Sequence, residues 1–322
     1  MSYFFDFKII LAFIISFGIA YIIGPMLLPM LKKLKISQII REDGPASHLV
    51  KNGTPTMGGI IFIISVVLTV IISGRYSNEI WFALSFMLLF GLVGFLDDYI
   101  KVVLKRSLGL RAYQKIILQF LFALILAIYQ KNTSPMGTQL IVPFFRDITL
   151  DLGILYVPFL VFVIIAITNS VNLTDGLDGL ASSITFVVAT FFTLMAIYTG
   201  YGHLAIFMAA VSGGCVGFLR VNRFPAKVFM GDTGSMALGG AVAAAAVILN
   251  LSLLVPIIGF IYFAESLSVI IQVFSFKVFK KRVFKMSPIH HHFELSGWKE
   301  TKVVKVFYLL TIVLCFIGIF AI

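Results

Sequence analysis

The sequence predicts an all-α integral membrane protein that crosses the bilayer about ten times. Composition is the first reason. Hydrophobic residues make up 60% of the 322 residues and charged ones only 12%, against about 25% charged in soluble domains. The mean hydropathy is +1.06. Continuity is the second. The apolar stretches run long and nearly unbroken, whereas a membrane β-strand needs only about 9–11 alternating residues. The third is the net charge of +11, because basic residues distributed unevenly between loops are how such chains set their orientation.

A membrane helix needs about 20 apolar residues. Ten stretches qualify, at roughly 7–30, 56–73, 80–96, 113–129, 155–171, 181–199, 203–219, 235–250, 253–275 and 303–321, and they leave room only for short loops. The first is too long for a signal-peptide core and carries no small-residue cleavage site, so it reads as a retained span. Cys215 and Cys315 both lie inside apolar stretches and read as packing residues. The one long loop of the less basic set, about 130–154, holds Gln139–Phe145 and Ile148–Leu152 around Arg146-Asp147. Two short extended stretches about a turn fit a small hairpin within 139–152. No internal repeat or low-complexity segment is visible, so the whole of 1–322 reads as a single transmembrane domain.

An even span count puts both termini on one side. One set of loops, with the basic residues that open the next span, holds 21 of the 25 lysines and arginines. That set is expected to be cytoplasmic and both termini outside. Nine of the 14 acids share this face: Glu42, Asp43, Asp97, Asp98, Asp175, Asp178, Asp232, Glu294 and Glu300. Orientation explains the basic residues but not these acids, since Asp and Glu contribute little to it.

Four inner segments and the first inner loop carry more than a connector needs. Asp97-Asp98 ends the third span, where adjacent carboxylates repel and resist desolvation; Lys101 stands ready to compensate, though a solvated helix end fits as well. Asn169 to Gly179, with Asn172, Asp175 and Asp178, has no basic residue; a helical turn would put the two acids on one face. An Asx-capped turn is the plainer alternative. Asn222 to Ser235 includes Phe229 and ends in Gly-Asp-Thr-Gly-Ser at a helix start, a ready anion site, although Asp232 there favours a metal ion that also touches phosphate. His290-His291-His292 cannot share one helix face and suits phosphate better than zinc. Arg41 to Gly59 contains His48, Lys51 and Thr56, the lysine again suiting an anion. The basic residues near these segments, Lys115 among them, suit phosphates. Together the segments describe a polar site at the cytoplasmic helix ends, fit for phosphoryl chemistry on a nucleotide-linked substrate. A conduction pore or ion-coupled transporter needs charges at mid-depth. Only Glu265 lies there, and it is expected to pair inside the bundle. No nucleic-acid partner is expected.

REDGPASHLVKNGTPTMGG (41–59), FLDDYIK (95–101), NSVNLTDGLDGLA (169–181), NRFPAKVFMGDTGSMALGG (222–240) and PIHHHFELSGW (288–298) closely resemble the bacterial phospho-N-acetylmuramoyl-pentapeptide transferases, within the polyprenyl-phosphate N-acetylhexosamine-1-phosphate transferases. The resemblance covers nearly the whole chain; the first loop and the HHHFE segment are specific to the muramoyl branch. It implies a ten-span homodimeric enzyme of the bacterial inner membrane, with its active site facing the cytoplasm. This enzyme would use magnesium to transfer phospho-MurNAc-pentapeptide from UDP-MurNAc-pentapeptide to undecaprenyl phosphate, giving lipid I and UMP in the first membrane step of peptidoglycan synthesis. It places Asp232 as the magnesium ligand and Asp97 and Asp98 as the catalytic pair, Asp98 being the favoured base, with covalent attack by an Asp left open. Lys51, Thr56, Asn172, Asp175, Asn222, Phe229 and Gln272 match residues near the nucleotide. A related enzyme using UDP-GlcNAc is the alternative within the class.

Overall fold

The computed structural model describes residues 7–33, 51, 53–74, 77–102, 109–145 and 148–322. Arg41, Glu42, Asp43 and His48 of the first loop, and the Arg146-Asp147 turn, lie outside these residues. Twelve α-helices and one two-stranded sheet are formed among them: α1 (Phe7–Lys33), α2 (Ile60–Ser73), α3 (Asn78–Val102), α4 (Ala112–Thr133), β1 (Gln139–Ile141), β2 (Thr149–Asp151), α5 (Tyr156–Thr174), α6 (Leu180–Tyr198), α7 (Gly202–Asn222), α8 (Gly231–Ile248), α9 (Val255–Ile258), α10 (Phe260–Phe279), α11 (Ile289–Glu294) and α12 (Glu300–Ile319). Nine of the described helices are long and apolar enough to cross a membrane, and the chain is a multi-pass membrane protein.

The expected spans map onto these elements with two informative differences. The second span is a helix of only 14 residues, about 21 Å at the helical rise and short of the hydrocarbon thickness. Residues 55–59 instead pair their backbone with the segment before α8. Phe229 N donates to Pro55 O (2.8 Å), Gly58 N to Phe229 O and Gly59 N to Met230 O (both 2.9 Å). The ninth span breaks at Gly259 into α9 and α10, with Pro256 in the first turn of α9; proline fits a helix start and glycine its end. The hairpin forms as expected, antiparallel with Leu140 opposite Leu150. Leu140 is buried, and Phe144 N donates to Ala321 O (2.8 Å), tying the hairpin to the C-terminus.

Helix α8 is the hub. Every residue from Thr233 to Ile248 is buried, and α8 packs chiefly on α3 and α5. Its glycine- and alanine-rich sequence explains this, because in lipid there is no hydrophobic drive between helices and close backbone approach supplies the attraction. The approach is tightest where Gly94 of α3 meets the first turn of α8. A Cβ there would overlap the Asp232 carbonyl. Gly240 meets the Phe86 carbonyl and Phe90 Cβ in the same way, each 2.9 Å from where its own Cβ would stand.

Gly94→Val is therefore expected to abolish recovery of folded, monodisperse protein in detergent. Gly18→Ala, at a helical position with nothing within 4 Å, should keep yield and melting temperature or raise the latter. Wild-type behaviour of Gly94→Val in size exclusion would show that the α3–α8 contact is not required.

Candidate active site

The end of α3 and the start of α8 carry the centre of the site. Helix α3 continues through Val102, so Asp97, Asp98 and Lys101 are helical. The first turn of α8 has free backbone N–H groups, and Asp98 satisfies two of them. Its carboxylate accepts from Asp232 N (3.2 Å), Thr233 N (2.9 Å) and Thr233 Oγ1 (2.7 Å). Gly231 begins the turn with φ 76°, a left-handed conformation suited to glycine. A Cβ there would also stand 2.6 Å from Asp98 Oδ2.

This turn presents Asp232 to cations from two other helices. Its Oδ2 accepts from Lys101 Nζ (2.8 Å) and Lys115 Nζ (3.2 Å), and its Oδ1 from Asn172 Nδ2 (2.8 Å). Asn172 also donates to Ser235 Oγ (2.8 Å). Asp97 pairs with Lys101 (2.5 Å) and accepts from Leu110 N (2.8 Å). One oxygen from each of Asp97, Asp98 and Asp232 can be chosen so that all three lie within 4.8 Å of one another. Three carboxylates thus meet two ammonium groups, leaving a net negative charge.

Asp175 and Asp178 do not share a face. Helix α5 ends at Thr174, and the turn that follows separates the two. Asp175 lies near the Gly231 N–H. Burial, and then the charges of Asp232, Asp98 and Asp178, push its carboxyl well above the ordinary range. Asp178 turns to a second cluster. Lys51 Nζ donates to Asp178 Oδ1 (2.7 Å) and to both oxygens of Glu300 (2.7 and 2.8 Å). Asp178 N donates to Glu300 Oε1 (2.7 Å), and Ala226 N to Asp178 Oδ2 (2.8 Å).

The remaining sequence candidates divide. Thr56 is buried near Gly231, and its Oγ1 has no hydrogen-bond partner among the described residues. Phe229 lies half-buried on the 55–59 strip. Asn222 is spent on the fold: it donates to Val228 O and accepts from Ser182 Oγ (both 3.1 Å). Gln272 likewise holds the backbone of Val283 and Phe284 (3.0–3.1 Å). The histidines point three ways. His290 is buried, with Nδ1 3.0 Å from Glu265 Oε2 and its ring against Gly176. His291 Nδ1 lies 2.8 Å from Glu294 Oε2, and His292 Nδ1 accepts from Lys285 N (3.1 Å). Glu265 thus pairs inside the protein, as expected. Glu300 was not singled out by sequence, since an acid in a helix's first turn is ordinarily explained by the helix dipole.

A family model described as glycosyl transferase family 4 matches residues 80–250, which hold Asp97, Asp98, Asn172, Asp175 and Asp232. A model described as phospho-N-acetylmuramoyl-pentapeptide-transferase signature 1 matches residues 51–63, the strip that begins at Lys51. Proteins named phospho-N-acetylmuramoyl-pentapeptide-transferase are similar over nearly their full length. That of Alkaliphilus oremlandii is 59% identical over 97% of both chains, that of Alkaliphilus metalliredigens 57% over 98%, and that of Clostridioides difficile 54% over 96%. The site and these relatives agree, and the chain belongs to the phospho-N-acetylmuramoyl-pentapeptide-transferase family of transferases.

Proposed function

We propose that this chain transfers phospho-MurNAc-pentapeptide from UDP-MurNAc-pentapeptide to undecaprenyl phosphate, yielding lipid I and UMP in the first membrane step of peptidoglycan synthesis. The observation that carries this reading is the convergence of Asp97, Asp98, Asp232, Lys101 and Lys115 at one end of a membrane helix bundle. The donor diphosphate and the acceptor phosphate are both anions, and they can meet only where cations screen them. An oxygen of the acceptor phosphate attacks the sugar-linked phosphorus, and the bond to UMP breaks. Lys101 and Lys115 are placed to hold phosphate oxygens as charge moves onto UMP. A UDP-GlcNAc donor gains no support from the 51–63 match. The transporter reading loses its one mid-membrane acid, since Glu265 pairs with His290.

The residues fit a magnesium ion. The carboxylate oxygens are close enough to share a cation, and the cluster has more negative than positive charge. Asp232 would hold it, with Asp97 and Asp98 close by. When bound, magnesium neutralises the diphosphate and makes UMP a better leaving group. Three donors orient the Asp98 carboxylate at the α8 turn. Asp98 thus holds the α8 turn and also forms, with Asp97, the proposed catalytic pair, Asp98 being the favoured base and covalent attack by an Asp staying open. The charge distribution supports a cytoplasmic site with both termini outside, in the bacterial inner membrane. A homodimer is proposed on the family resemblance.

Multiple-turnover UMP release is expected only with both substrates and magnesium present, and EDTA should abolish it reversibly. Multiple-turnover release from the donor in the complete absence of undecaprenyl phosphate or metal would sink the reading. Asp97→Asn and Asp98→Asn should each lose at least about 100-fold in turnover. Only Asp98→Asn should also lower the melting temperature, by turning an amide N–H₂ towards the donors on α8, a loss of about 1–3 kcal/mol. Equal melting temperatures for the two variants would remove the capping role.

A further inference from the structure

Glu300 occupies the first turn of α12, yet its carboxylate is not spent on that helix. Both oxygens straddle Lys51 Nζ at 2.7 and 2.8 Å, and Oε1 also accepts the Asp178 N–H at 2.7 Å. Its side chain is only 9% exposed and that of Lys51 15%. One carboxylate from the far end of the chain thus joins two segments of the site. The first is the strip beginning at Lys51, which lies within the family signature. The second is the turn 175–179, whose other acid, Asp175, lies near the N–H of Gly231 beside Asp232. Lys51 brings a compact charge on a flexible four-carbon stem, and such a side chain loses much freedom when it orders around a ligand.

We infer that Glu300 is a positioning residue for the nucleotide donor, acting through Lys51. The inference rests on the donor reading above. Glu300 holds the Lys51 ammonium group against Asp178 before the donor arrives, so that the ligand meets an ordered cation. It also fixes the Asp178 backbone, which keeps the 175–179 turn in register with α8. Without its charge, Lys51 faces Asp178 alone and must be ordered by the donor itself. The lost interaction then appears in binding and not in the chemical step, because Glu300 touches none of the reacting groups.

The test is steady-state UMP release by the full-length protein in detergent–lipid micelles, with the concentration of each substrate varied in turn. Glu300→Gln is expected to raise KM for UDP-MurNAc-pentapeptide about tenfold while kcat and KM for undecaprenyl phosphate stay within about twofold. In a Lys51→Gln background the same substitution should add less than about twofold, since the partner it acts through is gone. An unchanged donor KM, a fall in kcat alone, or an equal KM rise in both backgrounds would each overturn the inference. Should Glu300→Gln fail to fold, Glu300→Asp, one methylene shorter, should show a smaller rise of the same kind, and normal kinetics for it would count against the role. A wild-type protein that releases no UMP would overturn the donor reading and, with it, this inference. An active wild type with kinetically normal variants would overturn the inference alone.

Discussion

The contact between the end of α3 and the first turn of α8 is the constraint on which the site depends. Two features make it. Gly94 removes the side chain that would separate the helices, and Asp98 fills the hydrogen-bonding vacancy left by the α8 backbone. A helix start buried among other helices leaves orphan N–H groups that water cannot reach. A carboxylate from a neighbouring helix satisfies them and answers the positive end of the helix dipole. The same two bonds set the direction of Asp232, whose own N–H makes one of them.

Everything charged at the site is arranged around that turn. Lys101 comes one helical turn after Asp97 and bridges it to Asp232. Lys115 arrives from α4 and Asn172 from α5. Three helices therefore supply partners to one carboxylate of α8, so the site exists only once the bundle has assembled. The 175–179 turn then links this centre to the Lys51–Asp178–Glu300 cluster. Phosphoryl transfer asks for little covalent help and much positioning of charge, and a set of interlocked ion pairs at one end of the bundle is a means to that end.

Several elements were legible in the sequence for plain reasons. Long apolar runs mark helices because every backbone group in lipid must be satisfied within its own segment. The basic asymmetry gathered the acidic motifs on one face, and the structure does bring Asp97, Asp98, Asp175 and Asp232 to one end of the bundle. The hairpin at 139–151 followed from two short extended stretches about a turn. Other features were hidden. Residues 56–59 looked like the start of a span, but the N–H groups of Gly58 and Gly59 go to the backbone of Phe229 and Met230, each 171 residues further on. Asp175 and Asp178 have helical spacing, yet the helix stops one residue before the first of them.

By itself, the sequence determined the class of protein, the number and order of the apolar segments, and the chemical types gathered at one face. Those follow from composition and local periodicity, which each stretch of chain carries alone. Only the tertiary structure decided which partner each polar group meets. It gave Asp98 to the α8 backbone, Gln272 to a loop, His290 to Glu265, and Glu300 to Lys51 across 249 positions. Those pairings depend on how closely helices approach and which end of each faces the site, and no local pattern in the chain encodes that.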